Sequence, residues 1–420
     1  MVIMAQNINQ KQGYKLTEVG VIPEDWIVTT LGEIVSKERP ICYGIVQTGK
    51  IVSNGVPCIR VIDLDNGKIK KKNLITTSKG ISDSYKRTIL KEEDLVIALR
   101  GKIGELAIVD KELIGANLTR GLALIAVNAS LDPSFFLQQL SSSNSKVIFE
   151  KNLNGSALQE IPINVLRKIP VAYPRTKFEQ RAIATALSDV DALITALDKL
   201  IAKKRDIKQA TMQQLLTGKT RLPGFRGEWK VKKLEEIREK FVNGGTPSTQ
   251  KSEYWQGNIP WITGADVINQ KISDIRRFIT IEAVKNSSTN IVERGNLLLV
   301  TRTGVGKLAV ASFDVAISQD ITGIYVKKEQ ALIEYLFHYF NYSSETLKSL
   351  NQGTSIAGIT RETLLSTKVY LPPLPEQTAI ANVLSDMDAE IAALEQKRDK
   401  TRALKQGMMQ ELLTGKTRLI

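Results

Sequence analysis

Apolar side chains recur every three or four residues along two long stretches of the chain. In each stretch they step by 4, 3, 4 and 3, the spacing with which a helix presents one continuous apolar face. Such a face is the seam through which a helix pairs with another helix. The pattern therefore predicts two long helices that pair as an antiparallel coiled coil. The seam residues are Ile183, Leu187, Val190, Ile194 and Leu197 in the first helix, and Ile380, Leu384, Met387, Ile391 and Leu394 in the second.

These two stretches are copies of one another. Residues 179–222 and 376–419 match at 27 of 44 positions without a gap, which indicates an internal duplication. Near the end of each copy a glycine, Gly218 or Gly415, stands where a left-handed residue would close a helix. The sequence therefore predicts a pseudo-twofold repeat organised around the two helices.

Short apolar runs rich in β-branched residues lie outside the helices and indicate strands, as at 95–99 and 106–109. The segment LVIALRGKIGELAIV in the first region resembles LLVTRTGVGKLAV in the second, so the duplication extends faintly into both. The expected fold class is α+β, with two globular mixed α/β domains alternating with the two long helices. The expected divisions fall at 1–174, 175–218, 219–372 and 373–420.

Composition narrows the possible partners. The formal net charge is +14 and the sequence pI is about 9.5, which favours a polyanionic partner, nucleic acid first. Cys42 and Cys58 are the only cysteines, so neither a disulfide framework nor a zinc site is indicated. The sequence has no apolar run of about 18 residues that would predict a membrane span. The expected compartment is the cytoplasm, without a membrane partner.

Motifs for catalysis are missing from the sequence. The repeated LTGKT resembles the end of a phosphate-binding loop, but Gln213 and Gln410 stand where that loop needs glycine. There is no glycine-rich turn suited to S-adenosylmethionine. The single histidine, His338, lies in LFHYF and is expected to be a packed aromatic neighbour rather than a base. We therefore expect no catalytic residue, no metal site and no cofactor in this chain.

Residues that could touch DNA occur at matching places in the two globular regions. In each region a strand runs into a glycine-flanked basic turn, RGKIG in the first and RTGVGK in the second. Glycine lets a backbone approach closely, and arginine or lysine contacts phosphate or guanine. A polar loop lies at a second matching place. The candidate DNA-binding residues are Tyr43, Gln47, Arg60, Arg100, Lys102, Arg120, Thr246, Ser248, Arg302, Thr303 and Lys307.

The two helices are far more similar in sequence than the two globular regions are. This contrast favours a common scaffold whose two globular regions recognise different targets. Together with PPLPEQ at 372–377, the MQxLLTGKTRL that ends both helices and GGTPS at 244–248, this arrangement resembles the specificity subunit of type I restriction–modification systems. The resemblance covers the whole chain. It implies two target-recognition domains that each read one half of a two-part DNA target, with an unread spacer between the halves.

The resemblance also implies the partners. The helices would set the spacer and bind two modification subunits, which would carry S-adenosylmethionine. Restriction subunits would add ATP- and Mg-dependent translocation and cleavage. Apolar residues beyond the seam, Leu215, Leu216, Leu412 and Leu413, are the candidate docking sites for the modification subunits. Two alternatives stay open: a self-contained DNA methyltransferase or nuclease with duplicated recognition domains, and a coiled-coil structural protein without DNA specificity.

Overall fold

A computed structural model describes residues 12–155, 159–272, 275–349 and 358–419. The chain divides into two compact units. Unit one comprises Met1–Leu197 and Lys397–Ile420, and unit two comprises Asp198–Gln396. The predicted division cuts the chain into four consecutive segments. The two compact units are instead divided at 197/198 and 396/397, inside the two long helices. We call the globular part of unit one head one (residues 12–173) and that of unit two head two (residues 229–371).

Head one consists of short strands and short helices. Its strands are β1 (Tyr14–Thr17), β2 (Gly20–Pro23), β3 (Ile27–Thr30), β4 (Cys42–Tyr43), β5 (Val56–Ile59), β6 (Leu64–Asp65), β7 (Lys68–Ile69), β8 (Ile75–Thr77), β9 (Leu95–Ala98), β10 (Leu106–Ile108), β11 (Asn117–Leu118), β12 (Leu122–Ile125) and β13 (Pro170–Tyr173). Its helices are α1 (Lys79–Ser84), α2 (Pro133–Leu140), α3 (Ser143–Lys151) and α4 (Ile163–Leu166). The long helix α5 follows (Lys177–Leu215).

Head two repeats this plan. Its strands are β14 (Lys230–Lys233), β15 (Arg238–Asn243), β16 (Ile259–Ile262), β17 (Val267–Ile268), β18 (Lys271–Ile272), β19 (Phe278–Ile279), β20 (Asn290–Val292), β21 (Leu297–Val300), β22 (Leu308–Val310), β23 (Val315–Ile317), β24 (Ile321–Val326) and β25 (Lys368–Leu371). Its helices are α6 (Leu234–Ile237), α7 (Ile281–Lys285), α8 (Ile333–Tyr342), α9 (Ser344–Ser349) and α10 (Arg361–Ser366), and the long helix α11 (Leu374–Leu412) follows.

The sheets of the two heads correspond strand by strand. The order β10-β9-β12-β4 in head one matches β22-β21-β24-β15 in head two, and all of these neighbours are antiparallel. A second sheet pairs β5 with β11 in parallel and with β8 antiparallel, just as β16 pairs with β23 and β19. The strands β9 and β21 are buried along their whole length, as their continuous apolar runs predict. The α+β class and the internal repeat are thereby confirmed.

The long helices, each of 39 residues, pack antiparallel within each unit. In unit one, Asp191 of α5 pairs with Lys405 of α11 at 2.7 Å. In unit two, Lys204 pairs with Glu390 at 2.7 Å, and Lys208 pairs with Asp388. As the residue number rises along α5, the number of its partner falls along α11, which confirms the predicted antiparallel pairing.

The predicted seam residues pack against the heads as well as against the other helix. Ile183 and Leu187 lie in the core of unit one beside Trp26 and Phe136, and Ile380 and Leu384 lie in the core of unit two. Leu197 and Ile391 are also buried. The remaining seam residues, Val190, Ile194, Met387 and Leu394, are half-buried. The helix ends therefore complete the heads as well as pairing with one another.

The repeated EQ and TGKTRL motifs close each unit. Glu179, near the start of α5, accepts two hydrogen bonds from Arg418, and Arg418 also donates to Asp25 of head one at 2.9 and 2.8 Å. In unit two, Arg221 binds Glu376 in the same way. Both carboxylates are almost fully buried, so each arginine supplies the compensating charge that a buried carboxylate needs. The closing glycines Gly218 and Gly415 have φ of +70° and +69°, as their positions predict.

Candidate DNA interface

The polar and basic loops of head one converge on a single 3₁₀ turn, Val61–Asp63. The amide of Arg120 donates to the carbonyl of Ile45 at 2.8 Å, and the amide of Leu99 donates to the carbonyl of Gly121 at 2.9 Å. A Cβ on Gly121 would lie 2.9 Å from a methyl group of Val61, so any larger residue would have to displace the Val61 side chain. The turns that carry Arg60, Arg100 and Arg120 are thus held next to one another.

A buried carboxylate organises this turn. Asp63 is 4% exposed and accepts the backbone amide of Arg60 at 2.8 Å. The guanidinium of Arg60 also binds both oxygens of Asp63, at 3.0 and 2.9 Å, and donates to the carbonyl of Asn73 at 3.0 Å. Arg60 is therefore fixed in orientation while 31% of its side chain stays exposed.

The other candidate residues of head one differ in how strongly hydrogen bonds and ion pairs restrain their side chains. Arg100 forms an ion pair with Glu160. The amine of Lys102 donates to the carbonyl of Leu64 at 3.3 Å, yet the residue is exposed. Arg120 is exposed, and its side chain has no ion pair among the residues that the structure describes. Gln47 is exposed on the neighbouring loop, whereas Tyr43 is half-buried against the core.

Head two places an equivalent turn, Gly264–Asp266, at the equivalent position. Asp266 is 2% exposed and accepts the amide and the hydroxyl of Thr263, both at 2.8 Å. Burial on its own would raise the pKa of Asp266, but hydrogen bonds from Arg276 and Thr263 outweigh burial and hold that pKa below its usual value. Arg276 and Arg277 bind its two oxygens at 2.8 and 2.9 Å. The carboxylate is therefore ionised and faces two guanidinium groups.

The basic turn of head two is less restrained than that of head one. Arg302 occupies the position equivalent to Arg100, and Gly358 occupies the position of Glu160. A Cβ on Gly358 would lie 3.2 Å from the Arg302 side chain. Arg302 is exposed and, within the described ranges, has no acidic partner. Thr303 is also exposed, and the exposed Lys307 donates to the carbonyl of Gly264 at 3.3 Å.

The GGTPS loop completes the site in head two. Gly244 lies so close to the backbone of β23 that a Cβ would be 2.2 Å from the carbonyl oxygen of Ile317. Gly44 approaches Leu118 in the same way in head one, so both loops depend on glycine. Thr246 and Ser248 are exposed, and the hydroxyl of Thr246 donates to Gln319 at 2.7 Å. The loops therefore present polar groups next to the basic turns.

Reasoning from the sequence missed Arg276 and Arg277. Strand pairing places them opposite the end of β16, where the amide of Trp261 donates to the carbonyl of Arg277 at 3.0 Å, and head one has Leu74 and Ile75 at the equivalent positions. Because head one has no arginine there, the comparison of the repeats passed over this pair. Arg277 also stacks on Trp261, with its guanidinium carbon 4.6 Å from the ring centre. The adjacent arginines in DIRRF were the one available signal.

The proposed docking role of four leucines is wrong. Leu215 and Leu216 are 5% and 1% exposed and lie in the core of unit two. Leu412 and Leu413 are 5% and 7% exposed and lie in the core of unit one. Their apolar side chains are covered by the heads, so they offer no surface to a partner. A charged residue at any of these positions would be buried without a partner and would destabilise its unit.

Comparison with known proteins identifies the family. A model of the type I restriction modification DNA specificity domain matches residues 23–209 and matches again at residues 226–401. The chain belongs to this specificity family. The two matches divide the chain as the internal repeat does. In the part of the chain that the structure describes, His, Cys, Asp and Glu side chains form no cluster of three or more that could bind a metal ion, and none of the helices has the length and hydropathy of a membrane span.

Members of the specificity family with similar sequences cover all or part of this chain. A protein of Methanocaldococcus jannaschii named putative type I restriction enzyme MjaX specificity subunit is 28% identical over 444 residues, covering 100% of both chains. The EcoBI specificity subunit of Escherichia coli is 26% identical over 254 residues, which cover 55% of this chain and 51% of the relative. The similarity to the first therefore extends through both heads and both helices.

Solved structures share the fold. The S subunit of a type I restriction–modification system from M. genitalium superposes with a TM-score of 0.62 at 15% identity, covering 95% of this chain and 97% of that one. A chain from a structure of type I complex assembly and conformational transition gives 0.57 at 19% identity, covering 94% and 99%. The two-head, two-helix architecture is thus that of the specificity family.

Proposed function

We propose that this chain is the DNA sequence-specificity subunit of a type I restriction–modification enzyme, with each head reading one half of a bipartite target. The observation that carries the proposal is the pair of equivalent 3₁₀ turns, which share a buried aspartate but carry different basic residues. A common scaffold with different cations is what two readers of different sequences require. Arginine reads guanine edges and contacts phosphates, and both uses fit exposed guanidinium groups on pinned turns.

The chain itself does not catalyse under this proposal. Two modification subunits would bring S-adenosylmethionine and methylate the half-sites, and restriction subunits would bring ATP and Mg for translocation and cleavage. The enzyme would act in the cytoplasm. The long helices would set the unread spacer, because each begins in one compact unit and ends in the other.

The docking surface for modification subunits is proposed to be a helical face that is exposed and identical in both copies. Asp189, Ala192 and Ala196 are exposed on α5, and their counterparts on α11, Asp386, Ala389 and Ala393, are exposed too. The spacing of three and four residues puts each trio on one side of its helix. Two copies of one partner need two equal surfaces, and small side chains allow a close approach.

Methylation mapping tests the proposal. The full chain is co-expressed with its modification subunit in a methylation-free host, and methylated bases are located across the host DNA. A two-part motif with a constant unread spacer is expected. A single continuous motif, or no motif, would contradict the proposal.

The methyltransferase alternative is tested on the isolated chain. Photocrosslinking with radiolabelled S-adenosylmethionine is expected to label the modification subunit and to leave this chain unlabelled. Specific labelling of the isolated chain, competed by unlabelled cofactor, would favour a self-contained methyltransferase.

A further inference from the structure

A buried aspartate ends each of the two equivalent 3₁₀ turns, Val61–Asp63 and Gly264–Asp266. We propose that Asp63 and Asp266 are positioning residues, each of which fixes the orientation of the arginine that reads a base in its head. The inference rests on the proposed function of the heads as DNA readers. It assigns Arg60 as the reading arginine of head one and Arg277, supported by Arg276, as that of head two.

The 3₁₀ turns close without the arginine side chains. A 3₁₀ turn of this kind is closed by the backbone amide that donates to the aspartate, from Arg60 in head one and Thr263 in head two, both at 2.8 Å. One oxygen of a neutral amide could accept that bond as well. Guanidinium groups also converge on the carboxylate in each head, and an asparagine in its place would not balance their charge.

The contact between guanidinium and aspartate is made from different places in the chain in the two heads. In head one the guanidinium comes from Arg60 within the turn and also reaches the carbonyl of Asn73 in the loop before β8. In head two the turn has Thr263 at that position, and Arg276 and Arg277 reach Asp266 from the loop before β19. The arginine comes from a different chain position in each head, whereas the aspartate is at the equivalent position in both. The feature that the two heads share is therefore a guanidinium group held against this carboxylate.

These guanidinium groups are fixed in orientation and still accessible to solvent. Arg277 is oriented by Asp266 at one edge and by the Trp261 ring on one face, and 38% of its side chain is exposed. Arg276 is 68% exposed and Arg60 is 31% exposed. An arginine whose plane is fixed loses less conformational entropy when its remaining N–H groups donate to a base edge. A buried aspartate that served folding alone would not need to present its cations to solvent.

The test compares Asp266→Asn and Asp63→Asn in the full chain, assembled with its modification subunit. Each complex selects duplexes from a randomised DNA library, and the bound pool is sequenced. Asparagine keeps the turn bond but loses the charge that holds the arginine. We expect Asp266→Asn to weaken base preference in one half-site by about 10- to 100-fold and to leave the other half-site unchanged. Asp63→Asn is expected to do the reverse.

A charge control separates positioning from simple electrostatics. Glu253→Gln in head two and Asp83→Asn in head one each remove one exposed negative charge, and no arginine contacts either side chain in the described residues. Binding to a random-sequence duplex at low salt is expected to stay equal or rise in all four variants, because each gains positive charge. Only the two buried-aspartate variants are expected to lose base preference.

A second variant keeps the test decisive if an asparagine variant unfolds at a lower temperature than the unaltered chain. Arg277→Lys retains the charge and the aspartate but removes the planar guanidinium that Asp266 and the Trp261 ring hold in one orientation. It is therefore expected to lose preference in the same half-site as Asp266→Asn. Unchanged preference in Arg277→Lys, or loss in both half-sites for either single aspartate variant, would overturn the positioning role while leaving the function intact. If the unaltered complex itself selected no motif, the proposed function would fail and this inference with it.

Discussion

At the scale of single residues, two arginines at equivalent positions have different surroundings. Arg100 is held by Glu160, whereas Arg302 faces Gly358 and projects without an acidic partner in the described part of the chain. An ion pair already satisfied within the protein must be broken or shared before its cation can neutralise a phosphate. The two turns should therefore contribute unequally to DNA binding.

We expect Arg302→Ala to weaken binding to a duplex and to lower the salt slope by about 1, the effect of one lost phosphate contact. Arg100→Ala should change the slope less, and Glu160→Gln, which releases Arg100, should raise affinity. Fluorescence anisotropy over a series of salt concentrations measures all three. Equal slopes for the two arginine variants would show that Glu160 does not restrain Arg100.

A second prediction at this scale concerns His338. Burial lowers the pKa of His338 from 6.5 to about 4, and its Nε2 lies 3.1 Å from the Ser385 hydroxyl. Above pH 6.5 both the folded and the unfolded chain hold it neutral, so it has no effect. As the pH falls below 6.5 the unfolded chain binds the proton first, and the free energy of unfolding drops by about 2 kcal/mol at pH 5.

We expect the variant His338→Phe to lose less stability than the unaltered chain between pH 7 and pH 5. Urea unfolding at both pH values, followed by circular dichroism, gives the comparison. The lost bond to Ser385 costs the same at both pH values, so it cancels in the difference. Parallel profiles for the two proteins would show that His338 does not titrate as its burial requires.

At the scale of elements, sequence periodicity found the long helices but not the use of every face. The 4–3 spacing predicted α5 and α11 and their antiparallel pairing. It could not show that Leu216 and Leu413 are covered by the heads, because an apolar residue looks the same whether its own domain or a partner covers it. The covering surface includes residues far away in sequence, since Leu413 shares the core of unit one with Trp26 and Leu216 shares the core of unit two with Tyr335.

The third prediction concerns the exposed alanines of the long helices. Ala196→Arg and Ala393→Arg together should abolish co-purification of the modification subunit, and either change alone should remove one of its two copies. Both alanines are exposed, so the chain should melt as before. Ala202→Arg is the control, because Ala202 is exposed and its counterpart in the repeat is Asp399. Full stoichiometry in the double variant would place the docking surface elsewhere.

At the scale of the whole molecule, the duplication was readable from the sequence and the interface was readable only in part. The repeated motifs predicted which loops would match, and glycine spacing marked Arg100 and Arg302. Arg276 and Arg277 were missed because they have no counterpart in head one, and their relation to Asp266 depends on strand pairing between β16 and β19. Long-range pairing of this kind leaves no local pattern in the sequence.

The fourth prediction concerns the spacer. Because ion pairs such as Asp191–Lys405 and Lys204–Glu390 fix the helix register, lengthening one helix alone would break half of them. We expect that inserting four helix-forming residues into both helices, after Leu197 and after Arg398, keeps both half-sites and lengthens the unread spacer. Four residues add about 6 Å of helix, close to two base pairs at about 3.4 Å each.

Methylation mapping of the paired insertion decides the spacer prediction. The matched control is the insertion after Leu197 alone, which should lose modification. An active paired variant with the original spacer would show that the partner subunits, rather than the helices, fix the distance.

The closure of unit one by Arg418, Leu412 and Leu413 has a consequence for biosynthesis. The ribosome makes residues 12–173 early, but the side chains that seal their core against α5 are made only after the whole of head two. Head one is therefore translated before head two, but its core is completed only after head two has been made. While head two is being made, the apolar surface around Trp26 and Ile183 lacks the side chains that cover it in the folded chain. We therefore expect the nascent chain, and any chain truncated before Leu412, to bind chaperones more strongly than the full chain does.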